Sequence, residues 1–286
     1  MSDSSLPASG PNADQIAYWN DTAGQTWATL QDLLDRQIAP LGRAAMARLA
    51  PAEGEAIADI GCGCGETVLA LARAVGPEGS VTGLDISEPM LEVARRRIAT
   101  EGLSQASVLA ADAQTHAFTT GGLDAVYSRV GVMFFHQPVE AFANLRAATR
   151  AGGRLAFVCW RPLAQNPWMG VPMQAALRHL PAPPPPADPH APGPFAFADP
   201  DRLRGILTDA GWSAVDMVPH DEKIGGNDLE RAMVLAQKVG PLGMMLRENP
   251  QVRDQVLGSL REVLSAHLTA DGVMLDSATW LVTARA

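Results

Sequence analysis

A short segment of the chain alternates glycine with cysteine between an apolar run and a helical one. It reads Ala58-Asp59-Ile60-Gly61-Cys62-Gly63-Cys64-Gly65-Glu66. Glycine is needed in such a loop because a β-carbon would block both the tight turn and the close approach of a ligand to the backbone. A loop of this kind could hold NAD, a nucleotide phosphate or S-adenosylmethionine.

Two features of the loop separate these ligands. Asp59 lies just before the glycines, where a carboxylate would oppose a pyrophosphate but suits a ligand that bears an ammonium and a sulfonium. The spacing is GxGxG, and no Lys-Ser or Lys-Thr pair follows, so the phosphate-binding lysine of an ATPase loop is absent. Both features favour S-adenosylmethionine.

Further acids follow the next two predicted strands. Asp85 is placed to accept both hydroxyls of an adenosine ribose, a feature shared with NAD enzymes, and Asp112 to accept a hydrogen bond from the adenine amino group. Each acid alone could equally be a cap or turn residue. Three acids at the carboxyl ends of successive strands favour a ligand site, because ligands of open α/β sheets bind along that edge.

The elements that must position these acids alternate regularly. Short apolar runs predict seven strands, at 56–60, 81–84, 107–111, 123–128, 154–160, 212–218 and 274–284. Amphipathic segments at 67–75, 88–100 and 139–149 predict helices between these strands, so the pattern indicates a parallel sheet covered on both faces.

The chain divides around this core. We predict a disordered leader at 1–12, an N-terminal helical lid at 13–50 that Pro40 kinks or splits, and a cofactor-binding core at 51–160. After the core come a cap insertion with a proline-rich loop at 161–198, a core helix and strand at 199–224, a helical cap insertion at 225–272 and the final strand at 273–286.

Segments 59–65, 81–86, 111–113, 123–129 and 145–153 resemble the successive motifs of class I S-adenosylmethionine-dependent methyltransferases. They are most similar to the branch that holds ubiquinone/menaquinone C-methyltransferases and bacterial small-molecule enzymes. The resemblance covers residues 57–160. It implies an α/β, Rossmann-like, doubly wound seven-stranded sheet with helical cap insertions, in which the last strand runs antiparallel between the fifth and the sixth.

The resemblance also implies roles for individual residues. Around the cofactor it places Gly61 and Gly63 beside the methionine moiety, Asp85 at the ribose, Asp112 and Ala113 at the adenine, and Ile86 and Met90 against the purine. Cys62 belongs to the same loop, where it is expected to serve as a small side chain in a crowded turn.

Other candidates flank this set. Ser128 and Arg129 end the fourth strand, where the family has residues that line the methyl-transfer site; Arg129 could bind the cofactor carboxylate or a substrate anion, or form a salt bridge at the rim. Tyr18 and Trp27 could cover the sulfonium by cation–π attraction, or pack the helix on the sheet. His136 could act as a general base, or as a loop or cap residue.

Composition limits the partners. The net charge of −9 argues against a nucleic-acid footprint, and no segment resembles a signal peptide or a membrane span. The three cysteines suggest neither a disulfide framework nor a metal site, so we expect no metal and a cytoplasmic location. The helix predicted at 251–268 could be part of the substrate cap or, equally, a homodimer contact.

The predicted function is methyl transfer from S-adenosylmethionine to the O, N or C atom of a small apolar or aromatic molecule. Two alternatives stay open: an NAD(P)-dependent oxidoreductase, and a non-catalytic regulator that binds S-adenosylmethionine. The apolar acceptor is inferred from eight cap residues, which could instead be core: Trp168, Met169, Met173, Phe195, Phe197, Met233, Met244 and Met245.

Overall fold

Strands and helices alternate over most of residues 56–160, except that β3 and β4 follow each other with no helix between them, and further helices come before and after. A computed structural model describes residues 6–180 and 188–286. Its strands are β1 Ala56–Ile60, β2 Ser80–Asp85, β3 Ala106–Ala110, β4 Leu123–Arg129, β5 Thr149–Trp160, β6 Ser213–Asn227, β7 Leu268–Thr269 and β8 Gly272–Arg285. Its helices are α1 Ala13–Asn20, α2 Thr22–Thr29, α3 Gln31–Leu49, α4 Glu66–Val75, α5 Glu88–Glu101, α6 Pro138–Ala148, α7 Pro167–Leu177, α8 Pro200–Asp209, α9 Leu229–Lys238, α10 Pro241–Glu248 and α11 Arg253–Ser265.

The strands form one sheet in the order β3-β2-β1-β4-β5-β8-β6. β1 pairs in parallel with β2 on one side and β4 on the other, and β8 runs antiparallel between β5 and β6. The doubly wound sheet and the place of its last strand are thereby confirmed. The short β7, which the sequence did not predict, pairs only with β8.

The direction of winding reverses between β1 and β4. Helices reached from β1 and helices reached from β4 therefore cover opposite faces, and a crevice opens where the two loops part. The strands on either side of this point are buried, as their apolar runs predicted; Ile57 is 1% exposed and Val126 is fully buried. The sheet thus places the loops after β1 and β4 at the position where ligands of this architecture bind.

The break between the N-terminal helices lies at Leu30, not at Pro40. Pro40 is inside α3, whereas Leu30 separates α2 from α3 and is buried beside Leu34 and Leu235 of α9. Pro40 therefore does not split the helix, and the N-terminal helices part instead at Leu30, which packs against α9.

The disordered leader was also predicted too long. Residues 1–5 lie outside the described part of the chain, but Asn12 is only 4% exposed. Its side-chain amide donates to Asp112 Oδ1 at 2.9 Å, and its Oδ1 accepts from the backbone N–H of His136 at 2.8 Å. These long-range hydrogen bonds hold the last residue of the predicted leader against the core.

The C-terminal cap differs in detail from the prediction. β6 continues to Asn227 instead of ending at 218, and α10 is a separate helix that the sequence did not indicate. The apolar stripe of α11 packs within the chain, since Val256, Leu260 and Leu264 share a cluster with Ala176 of α7. This stripe is therefore internal packing, and the possible homodimer contact through this helix stays a prediction.

The proline-rich segment lies partly outside the described part of the chain, at residues 181–187. Within the described ranges, no helix is both long and apolar enough to cross a membrane.

Candidate functional site

A cavity of about 680 Å³ lies at the carboxyl edge of the sheet. Its walls come from the ends of the first five strands, from the N-terminal helices and from the cap helices α7, α9 and α10. The residues that line it include Gly61 and Gly63 after β1, Asp85 at the end of β2 and Arg129 at the end of β4. The site predicted from the glycine loop thus lies in the wall of one large cavity.

The glycine loop needs its glycines for two different reasons. Gly61, Gly63 and Gly65 have φ of 68°, 52° and 81°, in the left-handed region that side chains rarely adopt. A β-carbon on Gly61 would also lie 2.7 Å from the α-carbon of Gly131, so the loops after β1 and β4 touch. On Gly63 the nearest atom would be Met90 Sδ at 3.8 Å. The space beside Gly63 is therefore open to the cavity and suits the close approach of a ligand.

Asp85 joins β2 to the glycine loop. Its Oδ2 accepts from the backbone N–H of Gly63 at 2.8 Å, and its Oδ1 accepts from that of Ser87 at 2.9 Å. Burial raises the pKa of Asp85, against the effect of these hydrogen bonds. The carboxylate lines the cavity at the position where the sequence predicted a ribose contact.

Asp112 and its neighbours form the next part of the wall. Both of its hydrogen bonds, from Asn12 and from the backbone N–H of Gln114, use Oδ1, so Oδ2 is left for a ligand. The structure brings the remaining residues predicted at the adenine into the same wall: Ile86, Met90 and Ala113, with Cys62 from the loop.

Asp59 does not reach the cavity. Its side chain is fully buried, and its Oδ2 accepts from Thr67 Oγ1 of α4 at 2.5 Å. Burial raises the pKa of Asp59 to about 7, although Thr67 and the nearby Arg129 lower it. The predicted contact of Asp59 with the cofactor is corrected by this geometry, because the side chain turns into the core beneath the loop.

Arg129 lines the cavity but is already paired. Its side chain is 9% exposed and bonds Glu66 Oε2 at 2.6 Å and Asp35 Oδ1 at 3.2 Å. Asp35 also accepts from Arg97, which in turn donates to the carbonyl of Cys64 in the glycine loop. The salt-bridge interpretation of Arg129 fits this geometry better than an anion contact, because two carboxylates already balance its charge.

Ser128 and His136 are not brought into the cavity. The hydroxyl of Ser128 is buried and donates to the carbonyl of Ile60 at 2.7 Å, so it fastens β4 to the end of β1. The side chain of His136 is exposed and does not line the cavity. Ser128 therefore holds the sheet edge in place of the predicted cofactor contact, and the general-base role of His136 stays a prediction that its place outside the cavity wall does not support.

The N-terminal aromatics form a cluster at the cavity. Tyr18 and Trp27 line it as predicted, and Trp19 lies between them with ring centroids 5.3 and 5.7 Å away. Trp19 also meets Phe134 edge-to-face at 5.4 Å. This arrangement covers the cavity with aromatic surface while Tyr18 remains 54% exposed.

Hydrogen bonds of Asn20 and Ser87 hold the N-terminal aromatic cluster, which forms a lid over the cavity, against the segment that follows β2. Asn20 donates to the carbonyl of Ile86 at 2.7 Å and accepts from the backbone N–H of Glu88, while Ser87 donates to the carbonyl of Trp19 at 2.6 Å. The sequence did not indicate Asn12 or Asp35 as residues of the cavity wall. The only sequence signal was the clustering of polar and aromatic residues at 12–20, since their partners lie far along the chain.

Part of the predicted apolar pocket lines the cavity. Trp168, Met169 and Met173 of α7 do so, and Trp168 stacks at 4.7 Å on Trp160. Phe195, Phe197, Met233 and Met245 do not line it; Phe197 and Met233 belong to the apolar cores. The side chain of Met244 lies outside the described part of the structure.

The cysteines are free and buried. Burial raises the pKa of Cys62 and raises that of Cys64 to about 12, so neither is a reactive thiolate. Within residues 6–180 and 188–286, no group of three or more His, Cys, Asp or Glu side chains is arranged to hold a metal ion.

The chain is similar to several known methyltransferases. Residues 57–153 match the family model described as a methyltransferase domain. The chain is 34% identical over 148 residues to aklanonic acid methyltransferase DauC of Streptomyces sp. (strain C5), a match that spans 50% of this chain and 67% of the relative. The chain belongs to the class I S-adenosylmethionine-dependent methyltransferases.

A second relative and a solved structure extend the comparison. Ubiquinone/menaquinone biosynthesis C-methyltransferase UbiE of Burkholderia mallei is 32% identical over 41% of this chain and 53% of the relative. The crystal structure of geranyl diphosphate C-methyltransferase from Streptomyces coelicolor A3(2), with Mg²⁺, geranyl diphosphate and S-adenosyl-L-homocysteine, superposes with a TM-score of 0.55 at 15% identity, over 98% of this chain and 99% of that one. At that identity the superposition shows the fold alone.

The cofactor of this methyltransferase is S-adenosylmethionine, and the residues present fit it. The open space beside Gly63, the cavity-lining carboxylates Asp85 and Asp112, and the absence of a phosphate-binding lysine from the loop all suit an adenosine ligand that carries positive charge and no phosphate.

Loss of the carboxylate at Asp85 should abolish most cofactor binding. We expect Asp85→Ala to weaken S-adenosylmethionine binding by about 10- to 100-fold in isothermal titration calorimetry, because charge-assisted hydrogen bonds are among the stronger polar contacts. Asp124→Ala, which removes an acid of the sheet that does not line the cavity, is the control and should bind normally. Unchanged affinity in Asp85→Ala would contradict the ribose assignment.

Burial of Asp59 should be visible in the pH dependence of stability. Its pKa is about 7 in the folded protein against an ordinary value of 3.8, so the folded state holds the proton more tightly between these values. This group therefore lowers stability as the pH rises from about 4 to about 7. We expect the free energy of unfolding of Asp59→Asn, relative to that of the unmutated protein, to rise over this range in urea denaturation and then to level off.

Asp124 provides a control of opposite sign. Hydrogen bonds from the backbone N–H of Ala56 and from Arg150 lower its pKa, so ionised Asp124 stabilises the fold above its ordinary pKa. Asp124→Asn should accordingly lose stability, relative to the unmutated protein, as the pH rises from acid. The interpretation of Asp59 is wrong if the two variants change in the same direction.

Proposed function

We propose that this methyltransferase acts on a small molecule that is largely apolar or aromatic, at an O, N or C atom. One observation carries the proposal: the glycine loop with Asp85 and Asp112, and the apolar residues of α7, line the same cavity of about 680 Å³. Trp160 and Trp168 supply the aromatic surface on the acceptor side, and Met169, Pro172 and Met173 supply the aliphatic surface.

The relatives and the charge of the chain support a small acceptor. UbiE and the geranyl diphosphate enzyme are named C-methyltransferases, and the DauC relative is named for aklanonic acid. A net charge of −9 disfavours a nucleic-acid acceptor, because binding along a phosphate backbone needs clustered cations. Membership of the methyltransferase family removes the oxidoreductase and the non-catalytic regulator as alternatives.

The chain's own residues have the tasks of binding, alignment and exclusion of water. Asp85 would hold the ribose, Asp112 and Ala113 the adenine, and Gly61 and Gly63 the methionine moiety. Bound S-adenosylmethionine supplies an already activated methyl group. The lid aromatics around Trp19 exclude water, and the cap walls align the acceptor, which is where most of the rate enhancement of such a site arises.

An acceptor screen tests the proposal directly. With methyl-labelled S-adenosylmethionine and a panel of apolar and aromatic alcohols, phenols, amines and carbon acids, we expect label to enter at least one class. Asp85→Ala, assayed at the same subsaturating cofactor concentration, should transfer label more slowly, in line with its weaker cofactor binding. Tight cofactor binding without transfer to any panel member would contradict the proposed acceptor class.

His136 should be dispensable for turnover. Its exposed side chain does not line the cavity, so we expect His136→Ala to keep kcat and its pH profile within about twofold of the unmutated protein. His190→Ala is the matched control, since His190 is likewise exposed and outside the cavity wall. A selective loss of kcat in His136→Ala, with loss of the acid limb of the profile, would restore the general-base role.

A further inference from the structure

Two basic side chains, Lys238 and Arg247, line the cap side of the cavity. Lys238 ends α9, and Arg247 lies in the last turn of α10. Both are exposed, and within the described ranges neither forms an ion pair or a side-chain hydrogen bond. A cation near a helix end is favoured by the helix dipole, which explains a basic residue there but not why both face one cavity.

The other charges of the cavity wall are distributed differently. Its carboxylates are Asp21 and Asp35 of the N-terminal region, and Asp85 and Asp112 at the strand ends. The two cap insertions contribute apolar, uncharged polar and basic residues to the wall, and no carboxylate. In a chain with 31 acidic and 22 basic residues, this division gives the acceptor side of the cavity a local positive charge.

On the cofactor side of the cavity the cation is Arg129, and its charge is not available to a ligand. Arg129 is almost fully buried and paired with Asp35 and Glu66, so it has no free charge to offer a ligand. Lys238 and Arg247 thus remain as the cavity cations that are available to an anion. Ammonium and guanidinium groups bind carboxylates and phosphates by charge-assisted hydrogen bonds.

We propose that the methyl acceptor carries an anionic group, a carboxylate or a phosphate, on its apolar or aromatic body, and that Lys238 and Arg247 bind this group. The inference rests on the proposed small-molecule function and names the class of acceptor. The anionic group meets the cap cations, and the apolar body packs on Trp168 and the other apolar residues of α7.

A matched pair of fluorescent probes tests the proposal without methyl transfer. Anilinonaphthalene sulfonate and N-phenyl-naphthylamine share an aromatic system and differ in the anionic group. We expect Lys238→Gln/Arg247→Gln to bind the sulfonate about fivefold to tenfold more weakly, as the loss of two exposed charge contacts allows, and to bind the neutral amine within about twofold of the unmutated protein.

The control variant removes two positive charges at positions outside the cavity wall. Arg43→Gln/Lys223→Gln removes two exposed basic residues that do not line the cavity, and should leave the binding of both probes unchanged. Equal loss of sulfonate binding in this control would overturn the proposal, because it would show a general charge effect. Unchanged sulfonate binding in Lys238→Gln/Arg247→Gln would overturn it as well.

Displacement of the sulfonate probe separates the two anionic groups. Naphthoate and naphthyl phosphate should displace it at lower concentrations than naphthamide, and the better of the two identifies the group. Displacement by naphthamide at the same concentration as both anions would contradict an anion site. S-adenosylmethionine affinity, measured by calorimetry, should be unchanged in the cap variant, so failure of the anion site and failure of the methyltransferase site give different results.

Discussion

The loops after β1 and β4 approach so closely that neither Gly61 nor Gly131 has room for a β-carbon. On Gly61 it would lie 2.7 Å from the α-carbon of Gly131, and on Gly131 it would lie 2.7 Å from the carbonyl oxygen of Ile60. The contact arises because the sheet reverses its winding at this point, so both loops leave the same stretch of its edge. The crevice, the lid above it and the cap beside it all depend on this junction.

Buried charges under the glycine loop support its shape. Arg129 joins the end of β4 to Asp35 in α3 and Glu66 in α4, and a second arginine, Arg97, joins Asp35 to the loop carbonyl of Cys64. A guanidinium in this position would be costly without its carboxylates, so the four side chains depend on one another. Charged residues next to the cofactor site can therefore serve the loop's conformation without touching a ligand.

Local patterns in the sequence predicted the strands, most of the helices and the acids Asp85 and Asp112, because strand ends and glycine spacing are visible over a few residues, whereas the strand order came from the resemblance to the methyltransferase family. Asp59 carried the same signal, yet Thr67 holds its side chain in the core, a choice that depends on the packing of α4. Asn12 was missed because its partner Asp112 lies one hundred residues away in sequence. The break at Leu30 likewise depends on α9, which no local pattern near Pro40 reveals.

The two halves of the cavity meet different chemical demands. Carboxylates at the strand ends suit an adenosine ligand with positive charge, and they belong to residues 57–153, which match the methyltransferase family. The cap walls come from α7, α9 and α10, outside that match, and they carry the cations and the apolar surface. Because the insertions are separate in sequence from the cofactor core, the fold can change its acceptor without disturbing the junction of β1 and β4.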